Sequence, residues 1–185
     1  MNIFVLDTNP VLAAQMQCNK HVVKMVLESA QLLSTAHRVL DGKLEVRKSA
    51  TGRREKVYVL ANDPQAESAM YRASHINHPC AIWVRESIAN YMWLSDHFEA
   101  LCDEYHYRYG RTHATDTKLR SVLDDAPAEI PDIGLTPFVL AMKSNPECIH
   151  PEDPVRSYHE YYRTKENRFS MIWTRRPIPE WFYHA

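Results

Sequence analysis

The chain has 185 residues, 45% hydrophobic and 24% charged, which suits one soluble globular domain with a real core and is too short for two comfortable ones. Only four glycines occur, with no P-loop or GxGxxG pattern, which argues against a Gly-rich sheet protein or a phosphate-loop enzyme. A formal net charge of −1 excludes polyanion binding by overall charge, so any nucleic-acid contact must come from a local basic patch.

Residues 2–6 form a short apolar run, read as an extended arm packed on the core. One amphipathic helix is expected from Asn9 to Leu40, with a bend near Cys18-Asn19 because Asn is a poor interior residue. Its apolar face is Val22, Val26, Leu33, Ala36 and Leu40, and beside it runs a polar stripe of His21, Lys24, Glu28, Gln31 and Thr35. Residues 43–60 alternate polar and β-branched side chains around Thr51-Gly52, the pattern of a small β-hairpin or a loop. Helices are expected over 64–76 and 79–109, the latter a single element about 45 Å long. In it Val84, Tyr91, Phe98 and Tyr105 recur every seven residues, with Ile88, Leu94 and Leu101 or Cys102 between, and Gly110 is a natural stop. A short helix over 115–123, a Pro-rich loop over 124–153 and a last helix over 154–170 follow. The tail, 171–185, holds Trp173, Trp181 and Phe182, which favour packing on the domain. Asn9-Pro10, Asp63-Pro64, His78-Pro79 and Asp153-Pro154 share one helix-start signature, a capping residue followed by Pro at the first helical position. The fold class is therefore mainly α: a single-domain helical bundle over 1–185 with one long central helix, a short N-terminal arm and a small hairpin.

Three groups of residues can carry chemistry. His21, Lys24 and Glu28 lie in line along the first helix, a base, an amine and a carboxylate at the edge of the core. The same spacing also describes a surface Lys24–Glu28 pair worth about 0.3 kcal/mol. His75, Asn77 and His78 precede Pro79 at a helix start, where backbone N–H groups favour an anion; Gln31 and Trp83 are further candidates for substrate contact. Lys43, Arg47, Lys48, Arg53, Arg54 and Lys56 stand against Glu45 and Glu55, a basic segment suited to phosphate contact. Arg163, Lys165, Arg168, Arg175 and Arg176 make a second basic group, and acidic stretches near 96–104 and 124–132 offset both. His21, His37, His75 and His78 show no metal-ligand spacing, so no metal and no cofactor is expected. Cys18, Cys80, Cys102 and Cys148 form no CxxC pair and read as free thiols. Without a signal-like segment or an apolar run of about 18 residues, a cytoplasmic location and no membrane partner are expected.

The runs "CNKHVVKMVLESAQLL" and "NHPCAIWVRES" resemble small proteins of tailed bacteriophages. More distantly the chain resembles the pyrimidine-dimer DNA glycosylase/AP-lyase family of phage endonuclease V type. That family is small, single-domain and α-helical, and its early helix carries a His and, seven residues on, the catalytic Glu, the spacing of His21 and Glu28 in "KHVVKMVLE". A basic Gly-containing segment ("DGKLEVRK") and an aromatic, Arg-Pro-containing end ("TRRPIPEWFYHA") complete the likeness. The resemblance implies attack of an N-terminal α-amine on the deoxyribose C1′, here from Met1. Glu28 would stabilise the cationic sugar, and the basic segment, with Arg175 and Arg176, would hold DNA with a base extruded. Two positions depart from the pattern. Asn2 follows Met1 where the family exposes a small residue after Met removal, and Leu27 stands where an Arg is expected before the Glu. The expectation is a DNA- or nucleotide-acting enzyme, glycosylase/AP-lyase-like, with either the Met1 amine or Lys24 as the nucleophile. The alternatives are a nucleotide-binding or sequestering protein with a His-lined pocket, and an interaction protein without catalysis.

Overall fold

Each of the four Asx/His-Pro signatures starts a helix. Asn9, Asp63, His78 and Asp153 are N-caps whose side chains accept backbone N–H groups, and Pro occupies the first helical position each time. The computed structural model describes residues 1–183. In chain order it contains α1 (Pro10–Gln15), α2 (Asn19–Leu40), β1 (Lys43–Lys48), β2 (Arg54–Val59), α3 (Pro64–Ala69), α4 (Pro79–Glu86), α5 (Ile88–Tyr109), α6 (Ala114–Leu119), α7 (Pro154–Arg163) and α8 (Glu180–Tyr183). The strands form one antiparallel hairpin, with Lys43 opposite Val59 and Lys48 opposite Arg54. The long helices α2 and α5 pack on each other, with α1 against α5 and α4 against both. Among the described residues no helix is long and apolar enough to cross a membrane.

The core follows the expected periodicities. Val22, Val26, Leu33 and Ala36 are fully buried on α2; Val84, Tyr91, Phe98, Leu94, Leu101 and Cys102 are fully buried on α4 and α5. Burial of each large apolar side chain contributes roughly 1.5–3 kcal/mol. Ile88 and Leu40 are only half-buried, because each sits at a helix end. All four cysteines are buried free thiols.

Both long helices expected from sequence are broken. The first splits at residues 16–18, where Cys18 is extended at φ −70° and ψ 163°. Its N–H donates to the Tyr162 hydroxyl at 2.9 Å, the Trp173 indole donates to the Met16 carbonyl at 2.8 Å, and the Gln17 amide meets His97 at 3.1 Å. Partners from the far end of the chain thus replace the lost helical bonds. The second splits at Ser87, extended at φ −154° and ψ 148°, whose hydroxyl caps α5 by accepting from the Ala89 N–H. The Ile88 N–H goes to the Pro131 carbonyl, and Asn90 donates to the Trp83 carbonyl at 2.8 Å. The helix expected over 64–76 stops at Ala69. Arg38 supplies the reason: its guanidinium takes the carbonyls of Glu67, Met70 and Tyr71, so the last helical bond is Met70 N–H to Ala66 and residues 71–76 run without helical bonding. The helices expected over 115–123 and 154–170 each end in a 3-10 turn, at residues 120–122 and 164–167. Trp173 and Phe182 are buried, so the tail lies on the domain; its last residues, His184 and Ala185, lie outside the described residues.

Candidate active site

The site is built around the head of the chain. Ile3, Val5 and Leu6 are fully buried, which threads the arm through the core. Asn2 fixes its start: the side-chain oxygen accepts from the N–H groups of Ile3 and Phe4 at 2.8 and 2.9 Å, and the amide donates to the Ala141 carbonyl at 3.1 Å. This brings the Met1 amine 4.0 Å from Glu28 Oε2. The other oxygen, Oε1, meets Lys24 Nζ at 2.9 Å. The Glu28 side chain is 13% exposed and the Lys24 side chain 60%. Glu28 is therefore a sheltered carboxylate shared by two amines, with Lys24 on the solvent side.

His78 stands beside this pair. Its Nδ1 accepts from the Cys80 N–H at 3.2 Å, so the neutral ring carries its proton on Nε2 and can donate there. Burial lowers its pKa, the Met1 amine and His75 push the same way, and Glu28 opposes them. His75 is exposed and takes the left-handed conformation at φ 50°; its carbonyl accepts the His78 N–H, so the turn holds both imidazoles next to the start of α4. Burial raises the Cys80 thiol to about 12, which keeps it protonated and inert.

His21 lies two turns before Glu28 on α2 and is almost fully buried. Its Nδ1 accepts a hydrogen bond from the Tyr162 hydroxyl at 2.7 Å, and its ring stacks on Phe4 at 4.7 Å. Burial, with Lys24 and Lys165 adding, lowers its pKa to about 4, so it is a neutral support under the arm. Gln31 is half-buried one turn beyond Glu28, and Asn77 is exposed in the His turn. Three candidates lie elsewhere. Trp83 is 2% exposed and packed on Trp93 and Phe138, so it has no face for a substrate. Arg175 donates to the Tyr107 carbonyl and Arg176 pairs with buried Glu104 at 2.8 Å, so both tie the tail to α5.

Sequence reading missed the role of Asn2, whose distant partner Ala141 leaves no local signal. It also grouped Lys165 with surface cations. Lys165 is buried, its amine 3.3 Å from the centre of the Tyr161 ring. Burial lowers its pKa to about 8, with Arg168 and Lys24 pushing the same way.

A sheltered carboxylate, an α-amine 4.0 Å from it and a histidine donor are the elements of nucleophilic amine chemistry assisted by proton transfer. Residues 1–117, which contain Met1, Glu28, the hairpin and the His turn, match the family model described as pyrimidine dimer DNA glycosylase. No curated protein and no solved structure matches the chain significantly. With the match spanning more than half its length, this chain belongs to the pyrimidine dimer DNA glycosylase family.

Proposed function

We propose that the chain excises a damaged or modified base from duplex DNA and then cleaves the strand, with the Met1 amine as nucleophile. The amine attacks C1′ and the N-glycosidic bond breaks, the base leaving with the bonding electrons and gaining a proton. The nitrogen gives one proton to Glu28, and the C1′–O4′ bond then breaks with a proton passed to O4′, which leaves a protonated imine. Loss of a C2′ proton then breaks the C3′–O bond, and water hydrolyses the imine to restore the amine. Glu28 takes the proton from the attacking nitrogen and balances the cationic sugar. His78, with Nε2 free to donate, would give a proton or a hydrogen bond to the leaving base or to a phosphate. Lys24 pairs with Glu28 Oε1 from the solvent side, while Lys43, Arg47, Lys48, Arg53, Arg54 and Lys56 supply positive charge beyond the end of α2.

The observation that carries this reading is the 4.0 Å approach of the amine to a carboxylate only 13% exposed. Proximity of this kind lets one group accept a proton as the other attacks. An α-amine is intrinsically a weaker base than a lysine amine, so a larger share of it is neutral near pH 7; this favours Met1 over the open Lys24. Borohydride trapping on a duplex with an abasic site tests the reading. A reduced adduct mapping by mass spectrometry to Met1 is expected, and Glu28→Gln should cut its rate of formation by ~100-fold or more. An adduct on Lys24 would reassign the nucleophile; no adduct on any amine would remove the lyase mechanism.

A further inference from the structure

The hairpin sorts its charges by face. Side chains alternate across a strand, and directly opposed residues share a face. The register therefore places Leu44, Val46 and Lys48 with Tyr58, Lys56 and Arg54 on one face, and Lys43, Glu45 and Arg47 with Val59, Val57 and Glu55 on the other. Both carboxylates of the hairpin fall on the second face, and both are engaged: Glu45 by Arg47 at 3.0 Å and Glu55 by Arg72 at 3.2 Å. The first face carries three cations and no anion, and among the described residues Lys48, Arg54 and Lys56 make no ion pair. Leu44 and Val46 lie among them, 47% and 54% exposed. A hollow of about 450 Å³ runs along the hairpin at β2, bordered by Glu55, Lys56, Val57 and Tyr58 from both faces and by Arg72 and His75. The hairpin thus borders, along β2, the turn that carries His78.

We propose that this face alone, Lys48, Arg54 and Lys56 around Leu44 and Val46, is the hairpin's docking surface for duplex DNA. The three cations contact phosphates, and the two apolar side chains meet the groove. This rests on the excision reading above. The charge segregation argues for the occupant: a uniformly cationic face with its apolar residues left wet fits a polyanion with an apolar base-edge interior. A two-stranded ribbon also fits the major groove, which is about 12 Å wide. The distance is informative as well. Twelve residues of α2 separate Glu28 from Leu40, about 18 Å of helix. With α2 laid along the duplex, the contact therefore falls to one side of the reacting sugar, about five base pairs away or more, given about 3.4 Å per pair.

The test uses the full chain and a fluorescent duplex containing one abasic site, with affinity measured against salt concentration. Lys48→Gln/Arg54→Gln/Lys56→Gln should lower the slope of log affinity against log salt by about 2.7, the value for three phosphates. Lys43→Gln/Arg47→Gln should change it by less than one, and Val46→Glu should weaken binding roughly tenfold by placing an anion on the cationic face. Equal slope losses from the two cation variants would overturn the one-faced assignment. A second arm shortens the duplex: removing pairs beyond the fourth should weaken binding on one side of the abasic site only, and equal tolerance on both sides would overturn the proposal. Wild-type protein that traps and cleaves the duplex while the triple variant keeps its slope defeats the hairpin assignment alone. Wild-type protein that neither binds nor traps DNA defeats the excision reading with it.

Discussion

Replacing Arg38 by Met should unfold the scaffold of the site more than any surface change. Arg38 is 3% exposed and donates five hydrogen bonds, to the carbonyls of Tyr58, Glu67, Met70 and Tyr71 and to the Glu67 carboxylate, at 2.6–3.0 Å. It joins the end of α2 to β2, to α3 and to the segment that leads into the His turn. Breaking a buried ion pair by removing one partner costs about 3–5 kcal/mol, and each orphaned buried carbonyl adds about 1–3 kcal/mol where water cannot reach it. Glu67, Tyr58 and Tyr71 are half-buried and regain water, so about 4 kcal/mol is the expected loss. A chain of 185 residues unfolds with an entropy of roughly 0.4 kcal/mol/K. The melting temperature should therefore fall by about 10 °C in a calorimetric scan. Hydrogen exchange at residues 70–76 should rise together with it. Arg38→Lys should recover less than half, because an ammonium has three donors and no planar fork. A fall of less than about 2 °C for Arg38→Met would refute the account of why α3 stops where it does.

Asn2→Ala should slow formation of the borohydride adduct while leaving DNA affinity intact, because the side chain orders the arm through Ile3, Phe4 and Ala141 and has no surface for DNA; single-turnover trapping read beside anisotropy separates the two. Tyr162→Phe leaves the Cys18 N–H and the His21 ring nitrogen without their shared partner, and should cost about 2–4 kcal/mol in a urea titration. Stability should also fall as the solution is acidified below pH 6.5. His21 and His97 are held by burial at about 4 in the folded chain, against 6.5 for an ordinary histidine. Between those values the unfolded chain binds more protons, so their contribution is complete above 6.5 and is lost as pH drops toward 4. Urea midpoints measured from pH 7 to 4 should show this slope, reduced by about one proton in His21→Gln; an unchanged slope would mean that His21 is already solvated.

Local rules read from the sequence alone placed the helix starts, the apolar stripes of α2 and α5, and the line of His21, Lys24 and Glu28 along one helix. These depend on capping chemistry and on the 3.6-residue turn, which act over a few positions. The same rules joined α1 to α2 and α4 to α5, because the chain between them carries no Pro or Gly to forbid a helix. Only tertiary structure breaks them there, through Tyr162, Trp173 and Pro131, whose groups satisfy the freed backbone from 43 to 157 residues away. The charge of the hairpin was legible as a total, but its division between two faces required the register. The site follows the same logic. Helical spacing placed Glu28 at the edge of a core, whereas the carbonyl of Ala141, reaching Asn2 across 139 positions, decides where the Met1 amine meets it. Hydrogen bonds between distant segments form only once the chain is packed, and no local pattern of residues encodes them.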